Sequence, residues 1–196
     1  KAMTIAKGAN VIYKNATVIQ LNKDLPENKP LVDEWRLAGA PVPLILVLSG
    51  KGLPTGGYVL ADATAENVAA LVPSPKLEMV YDAIGKSKNA VVAFTKKSFA
   101  DRAEVIKECN KAVTLLKNDA IFVEVDMDDV KEKNFMDQLR INGKTATSSV
   151  TLVINKQGQV AGTSTTIPDA QKLVSAANTP VRGGCGPGCG PAGCGK

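Results

Sequence analysis

The chain has 196 residues, a net charge of +5 and a hydrophobic fraction of 44%, which is enough for one or two compact domains. Its lysines are scattered and no basic arm carries interleaved aromatic residues, so we expect no nucleic-acid partner. No apolar run approaches the ~20 residues that a membrane-spanning helix needs. The sequence contains no histidine, which removes the commonest metal ligand and the commonest general base.

Two stretches of the chain repeat the same order of predicted elements. The first begins at Asn15 and the second at Asp119. Each predicts an apolar strand, an acidic turn, a short helix, a second strand, a glycine turn, a third strand and a closing helix. Ala16 matches Ala120, which gives an offset of 104 positions (120 − 16). The pattern therefore predicts two related units.

The first unit, residues 1–75, is predicted to begin inside a domain. Its first apolar strand is Val18–Leu21, and the residues before Asn15 match only the later part of a helix that the second unit contains in full. Either this unit is a half domain or its opening strand lies upstream of Lys1, and we expect the latter because an exposed half sheet promotes aggregation. Residues 76–88 are predicted to be a linker helix.

The second unit, residues 89–178, begins with an unbroken apolar run that is typical of a central strand buried on both faces. A helix follows from Asp101, which we expect to be its N-cap, with Glu104 completing a capping box. The apolar face of this helix carries Val105, Cys109, Val113 and Leu116. On that face we expect Cys109 to be a buried, unreactive thiol.

Residues 89–178 resemble the thioredoxin-like superfamily in their order of elements. Leu152–Gly162 resembles the hairpin of that family, and Phe122–Asp129 resembles its second strand, which ends in acidic residues. The first unit resembles the same fold from its first helix onward. The resemblance implies an α/β, thioredoxin-like fold in two units, of which the first is incomplete at its N-terminus.

The second unit departs from the family at the positions that carry its chemistry. The family places Cys-x-x-Cys at the start of the first helix, where the helix N-terminus lowers the pKa of the first thiol. This degenerate dithiol position is held here by Phe99, Ala100, Asp101 and Arg102. The family's cis-proline position falls at Ser149 or Val150. The resemblance therefore implies a scaffold that does not exchange dithiols at this place.

The first unit keeps a proline at the corresponding place. Pro43 comes directly before the apolar strand and is the cis-proline candidate, with Pro41 as the next candidate. The alternative is an ordinary trans proline that fixes the direction of the chain. The dithiol that would face this proline falls just before Lys1 by the repeat offset.

The C-terminal segment, residues 179–196, is rich in glycine, proline and cysteine, and its composition predicts a flexible tail. Cys185, Cys189 and Cys194 are spaced C-x3-C and C-x4-C. Thiolates favour Cu(I), zinc or an iron–sulfur cluster, although three thiols fall short of the usual four ligands. The alternatives are a disulfide or dithiol shuttle, attachment inside an assembly, and a tail with incidental cysteines.

These observations predict a catalytically degenerate thioredoxin-like scaffold or interaction protein, with a tail that binds a soft metal or performs thiol chemistry. Within residues 1–196 we expect no enzyme site. The alternative is a thiol–disulfide oxidoreductase whose Cys-x-x-Cys lies upstream of Lys1. We expect a protein partner or larger assembly and an extracytoplasmic, periplasmic location, with the cytoplasm as the alternative. Acidic residues after one strand, Asp126, Asp128 and Asp129, indicate a solvated turn rather than a cation site.

Overall fold

The computed structural model describes residues 1–13 and 16–180 and divides the chain into two compact units. The first is Lys1–Val72 and the second begins at Pro73. Within the described residues the protein is a mixed α/β structure with seven α-helices and two β-sheets. No helix in this part of the chain is both long and apolar enough to cross a membrane. The tail cysteines, Cys185, Cys189 and Cys194, lie outside the described residues.

The first unit packs two helices against one face of a two-stranded antiparallel sheet. Its elements are α1 (Ala2–Tyr13), α2 (Lys29–Glu34), β1 (Leu44–Leu48), β2 (Pro54–Val59) and α3 (Ala65–Ala70). The core joins Ala9 of α1, Ile45 of β1 and Val68 of α3. Gly8 lets α1 approach α3 closely, because a Cβ at this position would lie only 3.1 Å from the Cβ of Ala65.

The predicted strand Val18–Leu21 is absent from the structure. Residues 16–21 belong to no regular element, and the side chain of Ile19 is 80% exposed. A strand is stable only when a neighbouring strand satisfies its backbone N–H and C=O groups. Among the described residues of this unit, the sheet consists of β1 and β2 alone, which pair with each other. The apolar pattern was therefore insufficient to predict a strand here.

The second unit contains a four-stranded mixed sheet in the order β4-β3-β5-β6. Its elements are α4 (Pro75–Gly85), β3 (Asn89–Thr95), α5 (Arg102–Leu115), β4 (Ala120–Asp126), α6 (Lys133–Gln138), β5 (Val150–Ile154), β6 (Val160–Ser164) and α7 (Ala170–Asn178). β3 runs parallel to β4 and antiparallel to β5, and β6 pairs antiparallel with β5. All seven residues of β3 are buried, as the unbroken apolar run predicted.

Helices cover both faces of this sheet. On one face α5 and α7 pack over Val91 and Val153, and on the other α4 and α6 pack over Val92. Leu77 and Val80 of α4 are buried in the core that contains Val92. The helix that the sequence assigned to a linker is therefore packed as part of the second unit, because its apolar face requires the sheet to bury it.

The two hairpins, β1–β2 and β5–β6, share one register. Val47 pairs with Gly56 in the first hairpin, and Val153 pairs with Gly162 in the second. Each hairpin shifts its register directly after that pair. The paired residues are separated by 106 positions along the chain (153 − 47). The hairpin geometry is thus repeated residue by residue.

The hairpin turns match as well. Gly52 and Gly158 have φ angles of +80° and +77°, a left-handed conformation that favours glycine. Their N–H groups donate to the carbonyls of Ser49 and Asn155, at 2.9 and 2.8 Å. The side chains of Ser49 and Asn155 also accept hydrogen bonds, each from two backbone N–H groups of its own turn. Each turn therefore satisfies its own polar groups in the same way.

The short helices α2 and α6 end in equivalent turns. Arg36 and Arg140, which are 104 positions apart (140 − 36), both have positive φ angles, of 54° and 57°. Each helix also carries an ion pair four residues apart, Lys29–Asp33 in α2 and Lys133–Asp137 in α6. The offset between the units is 104 at these turns and 106 in the hairpins. The second unit therefore has two extra residues in the loop that precedes β5.

Candidate functional site

The N-terminus of α5 lies beside the start of β5, and one carboxylate joins them. Asp101 accepts two hydrogen bonds from Ser149, one from the backbone N–H and one from the hydroxyl group, each at 2.9 Å. Ser149 is only 1% exposed. The structure thus brings together one residue of the predicted dithiol position, Asp101, and the predicted cis-proline position, Ser149. Ser149 stands 106 positions after Pro43 (149 − 43) and so corresponds to it in the hairpin register.

The capping box predicted at α5 does not form. Asp101 is the N-cap by position, but its side chain makes no capping hydrogen bond to the helix. Its carboxylate oxygens are instead engaged by Ser149. A negative charge beside a helix N-terminus is still favoured by the helix dipole. Asp101 thus bonds to Ser149 instead of capping α5, because the buried Ser149 offers two donors.

Arg102 forms a second link, from the first turn of α5 to the sheet. Its Nε and Nη2 atoms lie 2.9 and 2.8 Å from Oε1 of Glu124 on β4. The hydroxyl group of Thr95, at the end of β3, donates to the same oxygen at 2.8 Å. Charge-assisted hydrogen bonds of this kind are stronger than neutral ones. They hold the start of α5 against both parallel strands.

The remaining residues of the degenerate dithiol position carry no reactive group. Phe99 packs against the second unit's core, and Nζ of Lys96 lies 5.9 Å from the centre of its ring. Ala100 is exposed. Because residues 99–102 contain no sulfur, the N-terminus of α5 cannot exchange disulfides.

A charged cleft of about 180 Å³ opens beside this cluster. Its lining carries both signs of charge, from Lys76, Lys97, Arg102, Glu124, Asp126, Asp129 and Glu132, together with Thr95. Because its walls carry both signs of charge, the cleft offers no concentrated field for an ion of either sign.

The acidic turn after β4 satisfies its own backbone. Asp126 accepts a hydrogen bond from the N–H of Asp128 at 3.0 Å, and Asp129 accepts one from the N–H of Lys131 at 2.9 Å. Asp128 also pairs with Lys96 at 3.1 Å. Among the described residues, no three histidine, cysteine or acidic side chains are grouped to hold a metal ion.

Glu132 is a buried structural carboxylate that the sequence pattern did not reveal. It is 2% exposed and accepts hydrogen bonds from the hydroxyl group of Ser74 and from the N–H of Lys76, at the start of α4. Ser74 itself caps α4 by accepting from the N–H of Leu77. Ser74 and Glu132 are 58 residues apart, so no local sequence signal connects them.

The cis-proline candidate lies in the first unit. The Val42–Pro43 peptide bond is cis, and Pro43 directly precedes β1. Its carbonyl group accepts a hydrogen bond from the N–H of Leu60 at 3.2 Å, which closes the open end of the hairpin. Pro41, the other candidate, is exposed.

Cys109 lies at the centre of α5 and is fully buried, as the sequence predicted. Its sulfur is 4.0 Å from the hydroxyl oxygen of Thr151 on β5. Burial raises the pKa of the Cys109 thiol to about 11, and the nearby Glu108 carboxylate adds to the shift. A protonated, buried thiol is a poor nucleophile and a poor metal ligand.

Comparisons with known proteins place the chain in no family. No protein-family model matches it, and no curated protein is similar to it in sequence. A solved structure described as "Structure of a malarial protein" is 13% identical and matches 45% of this chain and 92% of its own, with a TM-score of 0.37. A similarity at this level defines neither a family nor a function.

Proposed function

We propose that the protein is a thioredoxin-like binding scaffold whose second unit has lost dithiol chemistry. The single observation that carries this proposal is the Asp101–Ser149 pair. At the two positions where dithiol exchange would need a cysteine and a proline, the chain has a carboxylate that accepts two hydrogen bonds from a buried serine.

The sheet order of the second unit supports a thioredoxin-like fold. Its strands lie in the order β4-β3-β5-β6, with β3 and β4, the first two strands of this unit, parallel and the closing hairpin antiparallel. The repeated hairpin register supports a related fold for the first unit. A fold of this kind does not by itself imply a reaction, so the function depends on the site.

The site favours a structural role over catalysis. The hydroxyl group of Ser149 is buried, so a substrate cannot reach it. The Asp101 carboxylate already accepts hydrogen bonds from both the N–H and the hydroxyl group of Ser149. Arg102 is likewise held by Glu124. These contacts fix the start of α5 to the sheet, which favours a scaffold over a catalytic site.

Reduction of insulin by dithiothreitol, with and without the protein, tests this proposal. We expect no acceleration by the variant in which Cys185, Cys189 and Cys194 are all replaced by serine, because its remaining thiol, Cys109, is buried. Acceleration by this variant would contradict a scaffold without dithiol chemistry. Acceleration by the natural chain alone would assign thiol chemistry to the tail.

For the tail we propose binding of a soft metal ion, on the strength of its three thiols in a short glycine-rich segment. Elemental analysis of the natively purified protein and of the triple serine variant tests this. Stoichiometric copper, zinc or iron that disappears in the variant would support a metal site. An equal metal content in the two proteins would contradict it.

A further inference from the structure

The loop between α6 and β5 contains an asparagine that is followed by glycine. Asn142 and Gly143 form the one Asn-Gly dipeptide in the 196-residue sequence. The side chain of Asn142 is exposed to solvent, and Gly143 carries no Cβ that would shield its backbone nitrogen. The nitrogen of a following residue can attack an asparagine side-chain amide, and glycine hinders that attack least. This dipeptide is therefore the place in the chain where such a reaction meets the least steric resistance.

The hydrogen bonds of this loop fold the side chain of Asn142 back over the next residues. Its Oδ1 atom accepts from the N–H of Lys144 at 3.0 Å. Its backbone carbonyl accepts from the N–H groups of Thr145 and Ala146, at 3.3 and 3.0 Å. The N–H of Gly143, by contrast, makes no hydrogen bond to the residues that the structure describes. No hydrogen bond therefore holds back the nitrogen that would attack.

We propose that Asn142 is a modification site, at which the protein deamidates without an enzyme through a cyclic imide. The nitrogen of Gly143 forms a bond to Cγ of Asn142, and the bond from Cγ to the amide nitrogen breaks. The amide nitrogen leaves as ammonia with the proton that Gly143 loses. Water then opens the ring: addition at the side-chain carbonyl gives aspartate, and addition at the backbone carbonyl gives isoaspartate. No group is oxidised or reduced, and water is the sole co-reactant.

Asn22 is a matched comparison within the same chain. It too is exposed, its Oδ1 atom accepts from the N–H of Asp24 at 3.0 Å, and its carbonyl accepts from the N–H of Leu25. The residue that follows it is Lys23, whose Cβ crowds the backbone nitrogen and whose Nζ atom is hydrogen-bonded to two backbone carbonyls. The two turns share exposure and hydrogen bonding and differ in the following residue. Deamidation should therefore be much slower at Asn22.

Isoaspartate changes the main chain at a point where the loop is closely packed. It places one additional carbon atom in the backbone, and Oδ1 becomes a backbone carbonyl oxygen. Gly143 lies against the turn after β4, where a Cβ on it would be 3.0 Å from the carbonyl oxygen of Met127. A longer backbone should not keep this fit together with the hydrogen bonds to Lys144 and Ala146. We expect the modified loop, residues 142–146, to open more often.

Both products also change the charge of a neighbouring cavity. A cavity of about 440 Å³ lies between this loop and the β5–β6 hairpin, and Asn142 and Arg140 are among its lining residues. Arg140 carries the single charge of that lining. A carboxylate at residue 142 makes the net charge of the lining zero, which should weaken its attraction for anions. This inference goes beyond the proposed scaffold function and does not depend on it.

Peptide mapping by mass spectrometry tests the proposal on the full chain. The protein is incubated in heavy-oxygen water and digested at intervals, and the peptides with residue 142 are separated into asparagine, aspartate and isoaspartate forms. We expect conversion at Asn142 that is about tenfold or more faster than at Asn22 in the same sample. Each product should contain one heavy oxygen atom, and isoaspartate should appear beside aspartate. The rate should rise with pH because the attacking nitrogen must lose its proton.

Two variants keep the test independent of folding. Asn142→Ser retains an oxygen that can accept from Lys144 but has no amide, so this peptide should keep its mass. Its loop amides should exchange hydrogen at an unchanged rate during incubation, whereas those of the natural chain should exchange faster as isoaspartate accumulates. Lys23→Gly gives Asn22 the same following residue as Asn142 and should raise the conversion rate at Asn22 by about tenfold or more.

Three outcomes would overturn the proposal. The first is a conversion rate at Asn142 that is no higher than at Asn22. The second is aspartate without isoaspartate, because direct hydrolysis of the amide by water forms no cyclic imide. The third is an unchanged rate at Asn22 in the Lys23→Gly variant, because the following residue would then not control the reaction.

Discussion

Asp101 and Ser149 are 48 residues apart and are joined by two hydrogen bonds of 2.9 Å, from the N–H and the hydroxyl group of the serine to the two carboxylate oxygens. The pair connects the first residue before α5 to the residue before β5. Ser149 is buried, so its N–H and its hydroxyl group depend on the Asp101 carboxylate as their acceptor.

Asp101→Ala should therefore destabilise the second unit more than Ser149→Ala does. The first change leaves a buried N–H and a buried hydroxyl group without an acceptor and should lower the free energy of unfolding by about 2–4 kcal/mol. Ser149→Ala removes only the hydroxyl donor and should lower the free energy of unfolding by about 1–2 kcal/mol. Urea unfolding followed by far-ultraviolet circular dichroism measures both.

Ser148→Ala is the control for this pair. Ser148 is half-buried, and its hydroxyl group donates an exposed hydrogen bond to the carbonyl of Thr165 at 3.2 Å, so its loss should change the free energy of unfolding by less than about 0.5 kcal/mol. Equal effects of Ser148→Ala and Asp101→Ala would contradict the assigned role of the buried pair.

Local patterns predicted the elements of the second unit well. The unbroken apolar run from Val91 to Phe94 predicted β3, whose seven residues are all buried in the structure. The spacing of Val105 and Cys109 predicted the buried face of α5. These signals depend only on residues that are neighbours in the sequence, so a single chain is sufficient to detect them.

Tertiary contacts decided the places where sequence patterns were misleading. Asp101 and Glu104 satisfy a capping-box pattern, but Asp101 binds Ser149, which no local rule connects to it. Val18–Leu21 has the composition of a strand, but a strand also requires a neighbour, which the described residues do not supply. Both errors arise because a local preference of about 1 kcal/mol is smaller than a tertiary contact.

Glu132→Ala should destabilise the second unit by about 2–4 kcal/mol. The buried carboxylate satisfies the hydroxyl group of Ser74 and the N–H of Lys76, and both would lose their acceptor at the start of α4. Thermal unfolding measures the loss. Lys131→Ala, an exposed change one residue away, is the control and should have little effect. Unchanged stability of the Glu132 variant would show that α4 does not depend on this contact.

Gly162→Ala should destabilise the second unit through crowding against α7. A Cβ at this position would lie 2.8 Å from the Cβ of Ala176, which is closer than two carbon atoms tolerate. We expect a loss of about 1–3 kcal/mol in the free energy of unfolding, measured by urea denaturation.

A double-mutant cycle with Ala176→Gly separates this crowding from other effects. Removing the methyl group of Ala176 gives room for the new Cβ, so Gly162→Ala should cost less in that background. Ala176→Gly alone should cost about 1 kcal/mol, through helix propensity. Additive effects of the two changes would rule out a contact between these positions.

Cys109 should be unreactive in the folded protein at pH 8, because burial raises its pKa to about 11. In the triple serine variant of the tail, Cys109 is the only thiol. Alkylation followed by mass spectrometry should therefore add no group to the folded variant and one group in urea. Equal alkylation rates in the two conditions would contradict a buried thiol.

The same pKa shift predicts how stability depends on pH. The unfolded thiol releases its proton near 9.0 and the folded thiol near 11, so between these values the folded state binds more protons than the unfolded state. The contribution of Cys109 is therefore fully present below pH 9 and is lost as pH rises toward 11, by on the order of 2 kcal/mol. Urea unfolding at several pH values, compared with Cys109→Ala in the same triple serine background, isolates this contribution, because the two proteins differ only at residue 109. The stability of the cysteine form should fall relative to the alanine form across that range, and a constant difference would show that the thiol does not titrate as its burial requires.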